Sequence, residues 1–180
     1  MTQRERATMA RSRWVLLGLL LAVLAPLASE AATGLDFYAI APCRLIDTRG
    51  GTLDVQQPGG GTPNFPRASF ASGETRSYDL TTSTACPGLP SGVGAWSLQL
   101  SFTTMGKSGV PSFLTVWPYA SVGGVGGQTV PPNESTMLGY ADRWSANFSV
   151  IPGGSDADGS INIYAEHGGD VVVEVNGYYK

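Results

Sequence analysis

Two aspartates separated by one residue are the best candidates for metal binding in this 180-residue chain. Asp156 and Asp158 precede Gly159, and carboxylates at alternate positions before a glycine are typical of the first half of a calcium-binding loop. The second half is missing, because no third acid stands before the glycine and no glutamate follows at the required spacing. Asp158-Gly159 between two alternating apolar segments also predicts a hairpin turn. The segment is therefore predicted to be either a calcium site or a turn.

A further carboxylate, Asp47, lies in Leu45–Arg49 (LIDTR). In aspartic peptidases an apolar-apolar-Asp-Thr-Gly loop supplies one of two carboxylates that share a proton. Here Arg49 replaces the glycine, and no second Asp-Thr-Gly or Asp-Ser-Gly is present. A guanidinium two residues away would lower the pKa of Asp47, which opposes proton sharing. We therefore predict that Arg44, Asp47, Thr48 and Arg49 form a structural cluster of ion pairs and hydrogen bonds.

His167 is the single histidine, so a Ser-His-Asp triad would have to use it. It lies in Glu166–Asp170 (EHGGD), and no G-x-S-x-G motif accompanies it. The glycines predict a hairpin-like turn with an exposed histidine. Because no spacing of Asp and Glu singles out an acid/base pair either, a hydrolase is the third-ranked hypothesis.

Exposed aromatic rings can bind sugars by stacking against the CH groups of a pyranose. Trp96 and Trp117 fall in strand patterns and are predicted to lie in the core. Trp144, four positions after Tyr140, is better placed for an exposed role. Trp144 and Tyr140 are therefore the candidates for carbohydrate binding.

Residues 1–31 have the features of a secretory signal peptide. Four arginines precede the apolar run Val15–Ala28, and the small residues Ser29 and Ala31 suit cleavage after position 31. The run is shorter than the roughly 20 residues that span a membrane. Cleavage leaves residues 32–180 as one domain with a net charge of −5. Such an exported, acidic domain is not expected to bind nucleic acid or membrane, and we predict that it is secreted or lies at the cell surface.

Cys43 and Cys86 are the two cysteines of the chain. An even pair in an oxidising compartment predicts a disulfide rather than a metal site or a nucleophile. A stabilisation of about 4 kcal/mol is expected from the loop that the bond closes.

Short alternating segments must position these residues. With 24 Gly, 12 Pro and only 14% charged residues, the composition argues against helical bundles and basic nucleic-acid binders. In Ala95–Thr104, for example, apolar and polar residues alternate with the period of a half-buried strand. The pattern predicts about nine short strands in an all-β, antiparallel sandwich of jelly-roll or Greek-key type. The nine segments are Leu35–Ile40, Arg44–Thr48, Thr75–Leu80, Ala95–Thr104, Phe113–Trp117, Thr136–Tyr140, Ala146–Ile151, Ser160–Ala165 and Val171–Tyr179.

The chain resembles a family of secreted bacterial β-domains that open with a P-x-R-[LV]-[LVI]-D-T-R motif. The matching segments are Ala41–Arg49 (APCRLIDTR), Cys86–Pro90 (CPGLP), Ser112–Pro118 (SFLTVWP) and the close Val171–Tyr179 (VVVEVNGYY). They run in order through nearly all of residues 32–180. The resemblance implies an accessory or surface module of an exported bacterial protein, with no catalytic residue set to carry over.

These observations favour a non-enzymatic structural or adhesive surface module. It is expected to self-assemble as a homo-oligomer or filament, with Leu35–Ile40 pairing with the sheet edge of a neighbouring copy. The alternative is a carbohydrate-binding accessory module that recognises cell-surface glycans through Trp144. No cofactor other than calcium is expected.

Overall fold

The computed structural model describes residues 34–50, 55, 68–119, 133–156 and 158–180. The predicted signal peptide lies outside these ranges. From Leu35 onward the chain forms one compact unit, in which the described residues form eight strands. The strands are β1 (Phe37–Asp47), β2 (Glu74–Tyr78), β3 (Ala95–Thr104), β4 (Ser112–Pro118), β5 (Met137–Gly139), β6 (Ser145–Pro152), β7 (Ile161–Ala165) and β8 (Gly169–Tyr179).

The structure has eight strands rather than nine because Leu35–Ile40 and Arg44–Thr48 belong to the same strand, β1. Pro42 lies between them and cannot donate a hydrogen bond to a ladder. The register with β8 accordingly shifts between Ala39 and Cys43, as an edge strand allows. Each of the other seven predicted segments corresponds to a strand whose ends differ by no more than two residues.

The strands form two antiparallel four-stranded sheets. Sheet 1 has the order β1-β8-β3-β6 and sheet 2 the order β2-β7-β4-β5. Strand β1 pairs with β8, β2 with β7, β3 with β6 and β4 with β5, so the chain is one long hairpin wound into two layers. This is a jelly-roll sandwich, one of the two types of sandwich that the sequence predicts.

The core lies between the two sheets and is built from the inward residues of alternating strands. The inner face of β3 contributes Trp96, Leu98, Leu100 and Phe102, all fully buried. Trp96 also donates a hydrogen bond from Nε1 to the carbonyl oxygen of Gly159 at 2.6 Å. Trp117 is buried as well, but its position opposite Asn162 puts it on the outer face of sheet 2, outside the central core cluster.

A disulfide joins Cys43 of β1 to Cys86, with the two Cα atoms 5.9 Å apart. It attaches the segment after the 3-10 turn Leu80–Thr82 to the edge of sheet 1. The predicted bond is therefore present, and it is consistent with an extracellular location. Within the residues that the structure describes, no helix is long and apolar enough to cross a membrane.

Candidate functional site

The outer face of sheet 1 carries polar and aromatic residues from all four strands. The strand register places Arg44, Glu174, Gln99 and Phe148 in one row across the sheet. The next row consists of Asp47, Val172, Ser101 and Ala146. Charged side chains thus lie at the β1 edge of this face, and apolar side chains lie at the β6 edge.

At the β1 edge, Asp47 accepts hydrogen bonds from two arginines. Arg49 donates from Nε to Oδ1 at 2.8 Å and from Nη2 to Oδ2 at 2.6 Å. Arg44 donates from Nη1 to Oδ2 of Asp47 at 3.1 Å and from Nη2 to Oε1 of Glu174 at 2.9 Å. The side-chain bonds from Arg49 are the main reason why the pKa of Asp47 is lowered to about 2. A carboxyl group held ionised in this way is unsuited to sharing a proton.

Thr48 has different partners from the rest of this cluster. Its side chain is buried, and Oγ1 donates to Oδ1 of Asp170 at 3.0 Å while accepting from the backbone N–H of Val171 at 2.9 Å. Ser69 donates to the same Asp170 oxygen at 2.7 Å. One carboxylate therefore holds the end of β1 and the segment before β2 together.

Trp144 stands beside the charged cluster. It follows a tight turn in which Tyr140 and Arg143 are bridged and Asp142 has a φ of 69°, a left-handed conformation that Asp tolerates better than most residues. Trp144 is 44% exposed, and the guanidinium carbon of Arg49 lies 5.0 Å from the centroid of its ring. This is a cation–π contact.

A shallow pocket of about 230 Å³ opens next to this contact. Its lining residues are Arg44, Arg49, Ser101, Trp144, Val172 and Glu174. The structure therefore brings Trp144 together with Arg44, Arg49 and Glu174 and with the centre of sheet 1.

Tyr140 does not line this pocket, although the sequence pairs it with Trp144 as a sugar-binding candidate. The guanidinium carbon of Arg143 lies 4.1 Å from the centroid of the Tyr140 ring. Arg143, in the turn before Trp144, thus covers one face of the Tyr140 ring.

The two metal candidates form a turn rather than a ready cation site. Oδ1 of Asp156 accepts from the backbone N–H of Ser160 at 2.9 Å, and Gly159 has a φ of 68°. Among the described residues, no group of three His, Cys, Asp or Glu side chains could hold a metal ion. Burial raises the pKa of Asp79, and the negative charges of Asp158 and Asp156 raise it further. The turn joins β6 of sheet 1 to β7 of sheet 2, so it is not the hairpin that Asp-Gly predicts.

His167 lies in a turn, as its glycine neighbours predict, but the turn joins strands of different sheets and the residue is only half-exposed. Its backbone N–H donates to Oγ of Ser112 at 3.1 Å. The side-chain Nδ1 is buried and has no hydrogen-bond partner among the residues that the structure describes. No acid that would orient a catalytic base contacts it within the described part of the chain.

One pair that the sequence reasoning missed is Glu74–Arg76. Arg76 is almost fully buried, and it donates to Oε1 of Glu74 at 2.7 Å and to Oε2 at 2.9 Å. Burial alone would raise the pKa of Glu74, but the bonds from Arg76 and from the backbone N–H of Ala71 lower it. The signal was available, because Glu74–Arg76 (ETR) repeats the acid-Thr-Arg order of Asp47–Arg49 (DTR).

No protein-family model and no curated protein matches the chain. Among solved structures, the chain is similar to the Tobacco streak virus coat protein dimer, with 8% sequence identity and a TM-score of 0.36. The match covers 71% of this chain and 86% of that chain. The eight-stranded fold of the described residues is defined by the strand pairing given above and not by this distant likeness.

Proposed function

We propose that the chain is an exported, non-enzymatic structural or adhesive surface module that self-associates by pairing the β6 edges of two copies. The observation that carries this proposal is the position of β6 at the edge of sheet 1. The strand is the last one of sheet 1 and pairs with β3 on one side only. Within the described residues, no backbone hydrogen bond joins its other side to another segment.

Strand β6 lacks the features that protect edge strands from pairing. Its eight residues, Ser145–Pro152 (SANFSVIP), include no charge, and the one proline is the last residue. The outward side chains Phe148 and Val150 are 56% and 48% exposed. A regular, uncharged edge with apolar side chains favours the addition of another strand.

The other edge of sheet 1 is less suited to pairing. The sequence predicts that Leu35–Ile40 pairs with a neighbouring copy, but Phe37, Tyr38 and Ala39 pair with β8 of their own sheet. The exposed side of β1 is interrupted by Pro42 and by two register shifts, which hinder further pairing. Two copies of β6 related by a two-fold axis would instead give an antiparallel pair and a continuous eight-stranded sheet.

Other observations support the remaining parts of the proposal. The disulfide and the predicted signal peptide agree with export. The lowered pKa of Asp47 and the arginines around it give that carboxylate a structural role. The resemblance to secreted bacterial β-domains adds the expectation of a surface or accessory module.

Sedimentation velocity tests the self-association directly. The protein, produced from the full-length sequence with its leader, should form dimers as its concentration is raised to about 1 mM, which detects even weak association. Phe148→Lys places a charge on the outer face of the edge strand and should weaken association at least tenfold.

Gln99→Lys is the matched control, because Gln99 is exposed in the same row on the interior strand β3. It adds the same charge without touching the edge, so it should leave the dimer intact. A wild-type monomer at about 1 mM, or equal losses from both substitutions, would contradict pairing through β6.

The alternative function is carbohydrate binding. The exposed ring of Trp144 and the pocket beside it favour this hypothesis, whereas the covered ring of Tyr140 does not.

A further inference from the structure

The pocket beside Trp144 combines an aromatic wall, an apolar floor and polar groups of both kinds. Trp144 forms the wall, and Val172, in register between Asp47 and Ser101, contributes the floor. Arg49, Glu174 and Ser101 supply the polar groups. An aromatic face next to well-placed hydrogen-bonding groups is suited to a small ligand with apolar CH faces and polar edges.

Both guanidinium groups at the pocket are paired with carboxylates. Arg44 and Arg49 are matched by Asp47 and Glu174, to which they are hydrogen-bonded. Asp170 adds a further negative charge that acts on Arg49. An anionic ligand would therefore meet guanidinium groups that are already neutralised, so the field of the pocket favours an uncharged ligand.

Several polar atoms in the pocket are still available. Arg49 uses Nε and Nη2 for Asp47, and Glu174 uses Oε1 for Arg44. Nη1 of Arg49, Oε2 of Glu174 and Oγ of Ser101 make no hydrogen bond to any residue that the structure describes. Together they offer donors and acceptors, as the hydroxyl groups of a sugar require.

We propose that this pocket binds one uncharged pyranose ring, stacked on Trp144 and hydrogen-bonded to Arg49, Glu174 and Ser101. Its volume of about 230 Å³ is below the range of about 300–1,000 Å³ for pockets that enclose drug-sized ligands. A single ring, free or at the end of a glycan, therefore suits it better than a long chain segment. The proposal rests on the alternative function, and it is independent of pairing through β6.

Amide and indole NMR tests the proposal with glucose, galactose, mannose and N-acetylglucosamine, each up to about 50 mM, well above millimolar dissociation constants. At least one sugar should shift the indole N–H signal of Trp144 and saturate. The indole N–H of Trp96 is the internal control, because it is buried and bonded to Gly159. Glucuronate, the charged analogue, should bind no more tightly than the neutral sugars.

Substitutions separate the pocket from the association surface. Trp144→Ala and Ser101→Ala should each weaken sugar binding, the first at least tenfold, while Phe148→Lys should leave it unchanged. The proposal fails if no neutral sugar gives a saturable shift at Trp144, or if glucuronate binds more tightly than all of them. It also fails if Trp144→Ala disrupts dimers without changing any response to sugars, since the pocket would then belong to the interface between copies.

Discussion

Strand β1 ends at Asp47, the first residue of Asp47–Arg49 (DTR), and Glu74–Arg76 (ETR) begins strand β2. In both triplets the arginine reaches back two positions and holds the carboxylate with two hydrogen bonds. The side chain of Arg49 is 44% exposed, whereas that of Arg76 is 3% exposed. The same local spacing thus gives an ion pair with an exposed arginine at one site and an ion pair with a buried arginine at the other. Arg49 follows the end of its strand, whereas Arg76 lies within β2.

Register places Arg76 opposite Ile163 of β7, on the core face of sheet 2. Its remaining donors reach the carbonyl oxygens of Ala68 at 2.8 Å and Ser69 at 3.0 Å, and its guanidinium carbon lies 4.1 Å from the ring centroid of Phe70. The buried arginine therefore fixes the segment before β2 onto the sandwich, in addition to pairing with Glu74.

The largest difference between the two sites should appear when each arginine is replaced by methionine. Arg76→Met removes the donor to the carbonyl groups of Ala68 and Ser69 and leaves Glu74 without its cationic partner. We expect a loss of about 3 kcal/mol in the free energy of unfolding. The melting temperature should fall by about 10 °C. Arg49→Met should cost no more than about 1 kcal/mol, because Arg49 is largely exposed and Asp47 keeps its bond from Arg44.

Urea unfolding monitored by circular dichroism measures both losses. Equal losses at the two arginines would show that burial does not separate the triplets.

Thr48 provides a second test, because its side chain is buried although Arg49 of the same triplet is exposed. Thr48→Val keeps the shape but removes both hydrogen bonds of Oγ1, leaving the N–H of Val171 without a partner. We expect a loss of about 1–2 kcal/mol. Ser69→Ala, which removes one bond to the same oxygen of Asp170, is the matched control and should cost less. A loss from Thr48→Val below that of Ser69→Ala would contradict this assignment.

Acid should reveal the contribution of Asp47. Its pKa is about 2 in the folded protein and near 3.8 when unfolded. The folded state therefore gains stability from the charged carboxylate above about pH 4, and loses it as pH falls towards 2. After solvent screening, we expect a contribution of about 1 kcal/mol.

The free energy of unfolding measured from pH 6 to pH 2 should fall less steeply in Asp47→Asn than in the wild type. Parallel curves would mean that the arginines do not stabilise the charged form of Asp47.

Much of the fold could be predicted from the sequence, because strand periodicity is a local property. The strand limits of Ala95–Thr104 coincide with those of β3, and the pairing of Cys43 with Cys86 follows from their number and from the compartment. The turn signals at Asp158-Gly159 and at Gly168-Gly169 predict hairpins, but neither turn joins two strands that pair with each other. Each turn joins different sheets, because the wound hairpin pairs strands that are distant in the chain.

The candidate site could be predicted only where partners are close in sequence. The contact of Asp47 with Arg49 spans two positions, but Trp144 meets Arg49 only because β6 and β1 belong to the same sheet. Likewise, Asp170 binds Thr48 across 122 positions. Burial of Arg76 depends on the register of β2 with β7, which one sequence does not define.

Added salt should have the smallest effect, and this effect should distinguish the ion pair of Arg49 from that of Arg76. Double-mutant cycles combine Asp47→Asn with Arg49→Met, and Glu74→Gln with Arg76→Met, so that each coupling energy is isolated from other losses. Raising NaCl from 0.1 M to 1 M shortens the Debye length from about 10 Å to about 3 Å. The coupling of the exposed pair should then fall by about 0.3 kcal/mol, while that of the buried pair should hardly change, because mobile ions cannot approach Arg76. A buried pair as salt-sensitive as the exposed one would indicate that water and ions reach Arg76 in solution, and the distinction between the triplets would then be lost.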